Sequence, residues 1–195
     1  MLHHVKQWLG EPSQVIVPQK QHPALDPQFA VMTFPSSQSY LRYMTNGASR
    51  NVVPGSQAEF GDDLGVRYEY LMHGKQAMDR VCCDLLFRIA QVPYLISRSL
   101  DAGETLVISR QHGIGGGSPM TSVYLTYPYE DDPLIYTSDP LGQLKFANLR
   151  IQTLWVIPIH ESERQLILDQ GPDAFEEILH RHKPDFADFR RAALL

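Results

Sequence analysis

The sequence predicts a single α+β domain over residues 1–195. Three observations carry that expectation. Short apolar or alternating runs, bounded by Pro, Gly or Asn, recur through most of the chain as strands do. One long segment, Lys75 to Gln91, has helical periodicity instead, with Met78, Val81, Cys82, Leu85 and Ile89 on one stripe. The C-terminal part reads as two short helices separated by Gly171 and Pro172, a stop followed by a start.

Taken in order, Leu2, Val5, Trp8 and Leu9 fall at helical spacing and predict a short helix ended by Gly10 and Pro12. Val15 to Val17 predicts a brief strand. A Pro- and Gln-rich loop separates it from a buried strand at Phe29 to Phe34, closed by Pro35. Tyr40 to Asn46 is the next strand, and Asn46-Gly47 is a strong turn pair. Residues 51–63 read as loop. From Val66 the pattern alternates: Val66, Tyr68, Tyr70 and Met72 oppose Arg67, Glu69 and His73, which predicts a half-buried strand.

After the long helix, stopped or kinked by Pro93, Asp101-Ala102-Gly103 reads as a turn and Thr105 to Ser109 as a strand. Gly113 to Ser118 reads as a flexible connector. Val123, Leu125 and Tyr127 alternate with Ser122, Tyr124 and Thr126, a second half-exposed strand. Pro128 to Pro140 is an acidic loop. Ile151 to Ile159 is apolar on both parities and predicts a central strand, with Pro158 ending its pairing. Ser162 and Gln165 form a capping box for the helix that follows. Phe175, Ile178 and Leu179 stripe the last helix, and Lys183-Pro184 closes it.

Composition narrows the function classes. The chain is 43% hydrophobic and 20% charged, ordinary for a globular protein. Its net charge of −5 argues against nucleic acid, whose phosphates require a basic surface. Cys82 and Cys83 are adjacent, and neighbouring helical cysteines point about 100° apart, so no disulfide framework is expected. Together with an N-terminus lacking a signal-peptide core and the absence of a spanning apolar run, this predicts a cytoplasmic protein with no membrane partner.

No catalytic set emerges. The loop His112 to Ser118 is rich in glycine, as anion cradles are, but Ser-Pro follows where a phosphate loop has Lys-Ser/Thr. A lipase-like oxyanion role would need a Gly-x-Ser-x-Gly elbow, which the sequence lacks. The alternative function, a small enzyme or ligand-binding protein built on Gly115–Gly117, rests on this loop alone. It predicts a pocket beside the loop, lined by a histidine such as His112. His180 and His182 sit two apart and His3 and His4 are adjacent, so neither pair can share an ion on one helix face, and no metal and no cofactor are expected. Cys82 reads as a small core hydrophobe.

Three stretches together are similar to the suppressor-of-fused domain family. In FAVMTFP followed by YMTNGAS, Thr45, Gly47 and Ser49 match a Thr-x-Gly-Met-Ser pattern, with Ala48 at the Met position. The Gly115–Pro119 loop leads into MTSVYLTYP as the family's loop leads into a strand. LWVIPIHESERQLILDQGPDAFEEIL resembles its Trp-apolar-apolar-Pro-Ile strand end with the two helices beyond, and Asp185 through Arg191 resembles its closing Asp-x-x-Arg segment.

The resemblance implies a central mixed, largely antiparallel sheet with flanking helices and two short C-terminal helices. It also implies a non-enzymatic protein-binding domain of the bacterial single-domain type. Animal members bind and restrain a transcription factor, and bacterial members have been grouped with immunity proteins that neutralise toxins. The expected partner is therefore a protein, basic or a toxin. Residues in three loops are expected to meet it: Thr45 and Ser49, then His112, then Tyr129, Glu130, Asp131, Asp132 and Tyr136. The tyrosines would supply area and the carboxylates charge. The oligomeric state stays open.

Overall fold

A computed structural model describes residues 9–36, 40–56, 65–109, 111–115, 117–128, 143–146 and 149–195, with 143–146 and 149–150 described at the backbone only. The expected helix over residues 2–9 and the acidic loop from Pro128 to Pro140 lie almost wholly outside these residues. Leu9 is helical and buried.

Eight strands form one sheet among the described residues. They are β1 (Gln14–Ile16), β2 (Ala30–Pro35), β3 (Leu41–Asn46), β4 (Arg67–Gly74), β5 (Thr105–Val107), β6 (Ser122–Thr126), β7 (Gln143–Phe146) and β8 (Leu149–Ile159). The path across it is β1-β2-β3-β4-β8-β6-β5. All pairings are antiparallel except β4 with β8, where Arg67 to Leu71 run alongside Ile151 to Trp155. Ile151 and Gln152 pair with β4 and also with Leu144 and Gln143, so β7 must lie on the edge of β8 opposite β4. β6 takes the same edge further along, from Trp155 to Ile159. The expected mixed, largely antiparallel sheet is what forms. The last strand of the chain occupies its middle.

Helices cover both faces. α1 (Asp79–Ile89) and α2 (Val92–Ile96) follow β4, and α3 (Glu161–Gln170) and α4 (Pro172–His182) follow β8. Strand parity sorts the core into two layers. Val31, Tyr43, Tyr68, Tyr70, Met72, Val123, Leu125, Leu154 and Val156 pack with Cys82, Leu85, Leu86 and Ile89 of α1. Met32, Phe34, Met44, Leu71, Tyr124, Trp155 and Ile157 pack with Ile167 of α3 and with Phe175 and Leu179 of α4. With apolar cover on both sides, a strand gains nothing by exposing one face.

This corrects two expectations. β4 and β6 are not half-exposed: Tyr68 to Gly74 and Ser122 to Thr126 are buried throughout. The polar parity of β4 is hidden by local chemistry. His73 lies between Tyr40 and Trp155, with ring centroids 5.1 and 4.9 Å away. Burial, helped by nearby Arg42, pushes its pKa down to about 3, so it packs as a neutral aromatic. Pro93 also starts α2 rather than simply ending α1.

Two further expectations shift at the end of β8. Pro158 does not end the pairing; it sits opposite Val123, and the strand runs on to Ile159. The cap of α3 lies two residues earlier than the predicted box: His160 is the N-cap, and its amide donates to Glu163 Oε2 at 2.9 Å. Glu163 is fully buried because Arg191 grips it with both terminal nitrogens, at 2.6 and 2.9 Å, while the Leu194 amide joins that of His160 as a fourth donor. The closing segment is thus tied down across the sheet's end, with Phe186 against Trp155 on one face and Phe189 in the other core.

Candidate functional site

The Thr45–Ser49 element sits where β3 leaves β4. The two strands pair only from Leu41–Met44 to Leu71–Gly74. Beyond that point β3 peels away, Gly47 turns with φ +98, and Ala48–Arg50 makes a single 3₁₀ turn against β4. A Cβ at Gly47 would lie 2.8 Å from Asp26 Cβ and 3.3 Å from Phe29 Cα, so both the conformation and the space call for glycine.

Side chains take over where the ladder stops. Thr45 Oγ1 accepts the Tyr70 amide at 2.8 Å and donates to Glu69 Oε2 at 2.5 Å. Glu69 Oε1 accepts the amides of Gly47 (3.1 Å) and Ser49 (2.9 Å) and the Ser49 hydroxyl (2.6 Å). Glu69 has no exposed surface, and its hydrogen-bond donors are amides and hydroxyls rather than a cation. Burial raises its pKa, while the bonds from Ser49, Thr45 and Gly47 pull the other way without cancelling it.

The far end of the same turn is held from outside. Tyr94 of α2 donates its hydroxyl to the carbonyls of Ala48 and Asn51 at 3.3 and 3.2 Å. Arg67 Nη1 donates to the carbonyls of Ser49, at 3.2 Å, and Arg50. A carboxylate at the amide end and a guanidinium at the carbonyl end is the arrangement the backbone dipoles favour. Thr45 and Ser49 are therefore turned inward, at 0% and 8% exposure, as positioning residues of the turn. Arg67, Glu69 and Tyr94 were not singled out from sequence. The available signal was an acidic residue between two tyrosines in an otherwise apolar strand.

The other expected contact residues fall elsewhere. His112 is exposed, at the start of the glycine loop. Tyr129, Glu130, Asp131, Asp132 and Tyr136 lie outside the described residues. The loop packs instead of connecting loosely. Gly113 backs onto Ser118 so closely that a Cβ would meet its carbonyl at 2.0 Å, and Gly115 rests on Val81 of α1. Two of its amides are spent internally, Ile114 on the Met120 carbonyl and Ser118 on that of Gly115. An anion cradle needs such amides turned outward.

Reactive groups are likewise quenched. Burial pushes the Cys83 thiol up to about 12 and that of Cys82 well above its usual range, so neither supplies a thiolate at neutral pH. Among the described residues no three His, Cys, Asp or Glu side chains are placed to hold a metal ion. None of their helices is long and apolar enough to cross a membrane.

The family model of the suppressor of fused protein (SUFU) matches residues 26–192. No curated protein sequence matches the chain. Among solved structures, one described as a suppressor of fused homologue from Neisseria gonorrhoeae FA 1090 is similar at a TM-score of 0.66 and 14% identity, over 100% of this chain and 94% of that one. A chain of a Sufu–Fu complex is similar at 0.68 and 12%, over 99% and 88%. The suppressor of fused of Drosophila is similar at 0.69 and 13%, over 99% of this chain and 49% of that one, so the chain spans about half its length. At these identities the likeness shows a shared fold.

Proposed function

The chain belongs to the suppressor of fused family, and from that premise we propose that it is a non-enzymatic protein-binding domain. The observation that carries this is structural similarity to a family chain solved in a complex, the Sufu–Fu structure. The chemistry of the site supports it. The expected contact element Thr45 to Ser49 spends its hydroxyls on Glu69, which in turn holds two of its amides. Such an element shapes a surface rather than performing a reaction.

Two narrower parts of the proposal concern setting and partner. A reducing, cytoplasmic location fits two adjacent free thiols buried in α1. An immunity-type role, in which the domain sequesters a toxin, would make the partner a protein whose own activity falls on binding.

The test is affinity capture from extracts of the source cells, followed by reconstitution from purified components. The proposal expects one polypeptide to form a stoichiometric complex with the domain, and suppression of that polypeptide's toxicity would establish the narrower role. If no captured polypeptide reconstitutes, or if the purified domain turns over a small-molecule substrate, the proposal fails.

A further inference from the structure

We infer that the outer face of the turn at 46–51 is a docking surface for an acidic, partly apolar segment of a partner protein; this rests on the protein-binding role proposed above. The turn is gripped at its amide end by Glu69 and at its carbonyl end by Arg67 and Tyr94, so the face it presents is held rigid before any partner arrives.

Two arginines mark the carbonyl end of that face, and half-exposed Asp26 lies against Gly47 at the other. Arg50 is exposed, and half-buried Arg67 lies against its carbonyl. Among the described residues neither arginine pairs with a carboxylate. Five other described cations do pair, Lys75 with Asp185 and Asp188, Arg80 with Asp84, Arg98 with Glu104, Arg164 with Glu161 and Arg191 with Glu163, whereas Arg88 donates to the Ile108 carbonyl. Arg67 Nε is also shielded from solvent and has no acceptor among the described residues. On a chain of net charge −5, two neighbouring arginines that pair with no carboxylate among the described residues offer guanidinium donors to an acidic partner.

Apolar area lies on the same helix that holds the turn through Tyr94. Leu95 and Ile96 follow Tyr94 in α2 and are 67% and 46% exposed. The chain leaving the turn passes this helix end at Gly55, where a Cβ would lie 3.8 Å from the Ser97 carbonyl. Tyr94 itself stacks on His22, with centroids 5.7 Å apart. Arginine, tyrosine and bulky apolar side chains around a fixed backbone are what the centre of a protein interface uses.

Among the described residues, a basic partner could turn instead to the shallow depression on α4 lined by Asp173, Glu176, Glu177, His180 and Arg181. There two basic side chains stand among the acids, and Glu176 already accepts from Tyr124 and Thr126 at 2.7 and 2.9 Å. The charge contrast favours the turn.

The test is selection of displayed random peptides on the whole purified chain, with binding then compared across Arg50→Glu, Leu95→Asp and Glu177→Lys. Neither the Arg50 nor the Leu95 side chain makes a hydrogen bond among the described residues, so both variants keep the fold, as thermal melting will check. The expected outcome is peptides that place Asp or Glu beside Leu, Ile or Phe. Their affinity should fall about tenfold or more in Arg50→Glu and in Leu95→Asp, and should weaken with salt. Basic peptides lost in Glu177→Lys, acidic peptides indifferent to Arg50→Glu and Leu95→Asp, or no selected peptide would each overturn the assignment. The broader proposal is judged separately: if the reconstituted partner binds Arg50→Glu and Leu95→Asp as tightly as the native chain, the surface is wrong and the binding function stands.

Discussion

Ser49 and Glu69, twenty residues apart, meet twice: the amide and the hydroxyl of Ser49 both donate to Glu69 Oε1, at 2.9 and 2.6 Å. That double contact anchors the turn below the proposed docking face. Removing the carboxylate should therefore cost stability first. Glu69→Ala would leave two buried amides and two hydroxyls without their acceptor, at about 3–5 kcal/mol by the usual cost of unsatisfied buried groups. Glu69→Gln keeps an acceptor for the Gly47 and Ser49 amides and should cost roughly 1–2 kcal/mol. Urea denaturation checks both values, and equal losses would show that the acceptor is not what matters.

His73 gives the domain an acid sensitivity of known sign. The unfolded chain protonates it near 6.5, while the folded protein holds it neutral down to about 3. The unfolded state then binds more protons between those values, so stability falls as pH drops from about 6.5 towards 3. Glu69 works in the opposite direction. Its raised pKa gives a contribution present below the unfolded carboxylate value and lost as pH rises through the folded one. His73→Phe keeps an aromatic ring between Tyr40 and Trp155 and should flatten the acid limb of a stability-versus-pH curve. An unchanged limb would contradict the assignment.

The closing segment should depend on one buried ion pair. Arg191 is 8% exposed at its side chain and Glu163 0%, and Arg191 also donates to the Pro158 carbonyl at 3.3 Å. Arg191→Ala strands a buried carboxylate and should cost about 3–5 kcal/mol. Limited proteolysis should then cut after α4, between Lys183 and Leu194, well before the rest of the domain opens. Wild-type resistance in the variant would show that the aromatic contacts of Phe186 and Phe189 suffice.

Gly74 ends β4 where α1 crosses it. A Cβ there would lie 2.5 Å from Cys82 Sγ and 3.3 Å from a Tyr43 ring carbon. Gly74→Ala should thus cost about 1–3 kcal/mol from overpacking. Removing the sulfur with Cys82→Ala in the same chain should recover about 1 kcal/mol of it. Strictly additive losses in a double-mutant cycle would place the strain elsewhere.

Much of the fold was legible because it follows from periodicity. The stripe Met78–Ile89, the two-faced apolar run ending at Ile159 and the Gly171-Pro172 break each appear as read. The misreadings share one cause. Arg67, Glu69 and His73 look like a solvent face by residue type, yet Glu69 and His73 are buried and Arg67 half-buried, each against a partner distant in sequence: the carbonyl of Ser49 for Arg67, the amides of Gly47 and Ser49 for Glu69, and the rings of Tyr40 and Trp155 for His73. Local pattern cannot register such contacts. The same holds for the cap of α3, where Glu163 was drawn to His160 and Arg191 rather than left to an exposed serine box. At the site, sequence located the Thr45–Ser49 turn, but not which of its faces points inward.

Amide hydrogen exchange at Gly47 and Ser49 tests the central claim most directly, because those two donors define the grip of Glu69 on the turn. If the carboxylate holds the turn as described, both amides exchange far more slowly than an unstructured loop, and Glu69→Ala releases them while the α1 amides stay protected. Exchange at loop-like rates in the native chain, or protection unchanged in Glu69→Ala, would contradict the account.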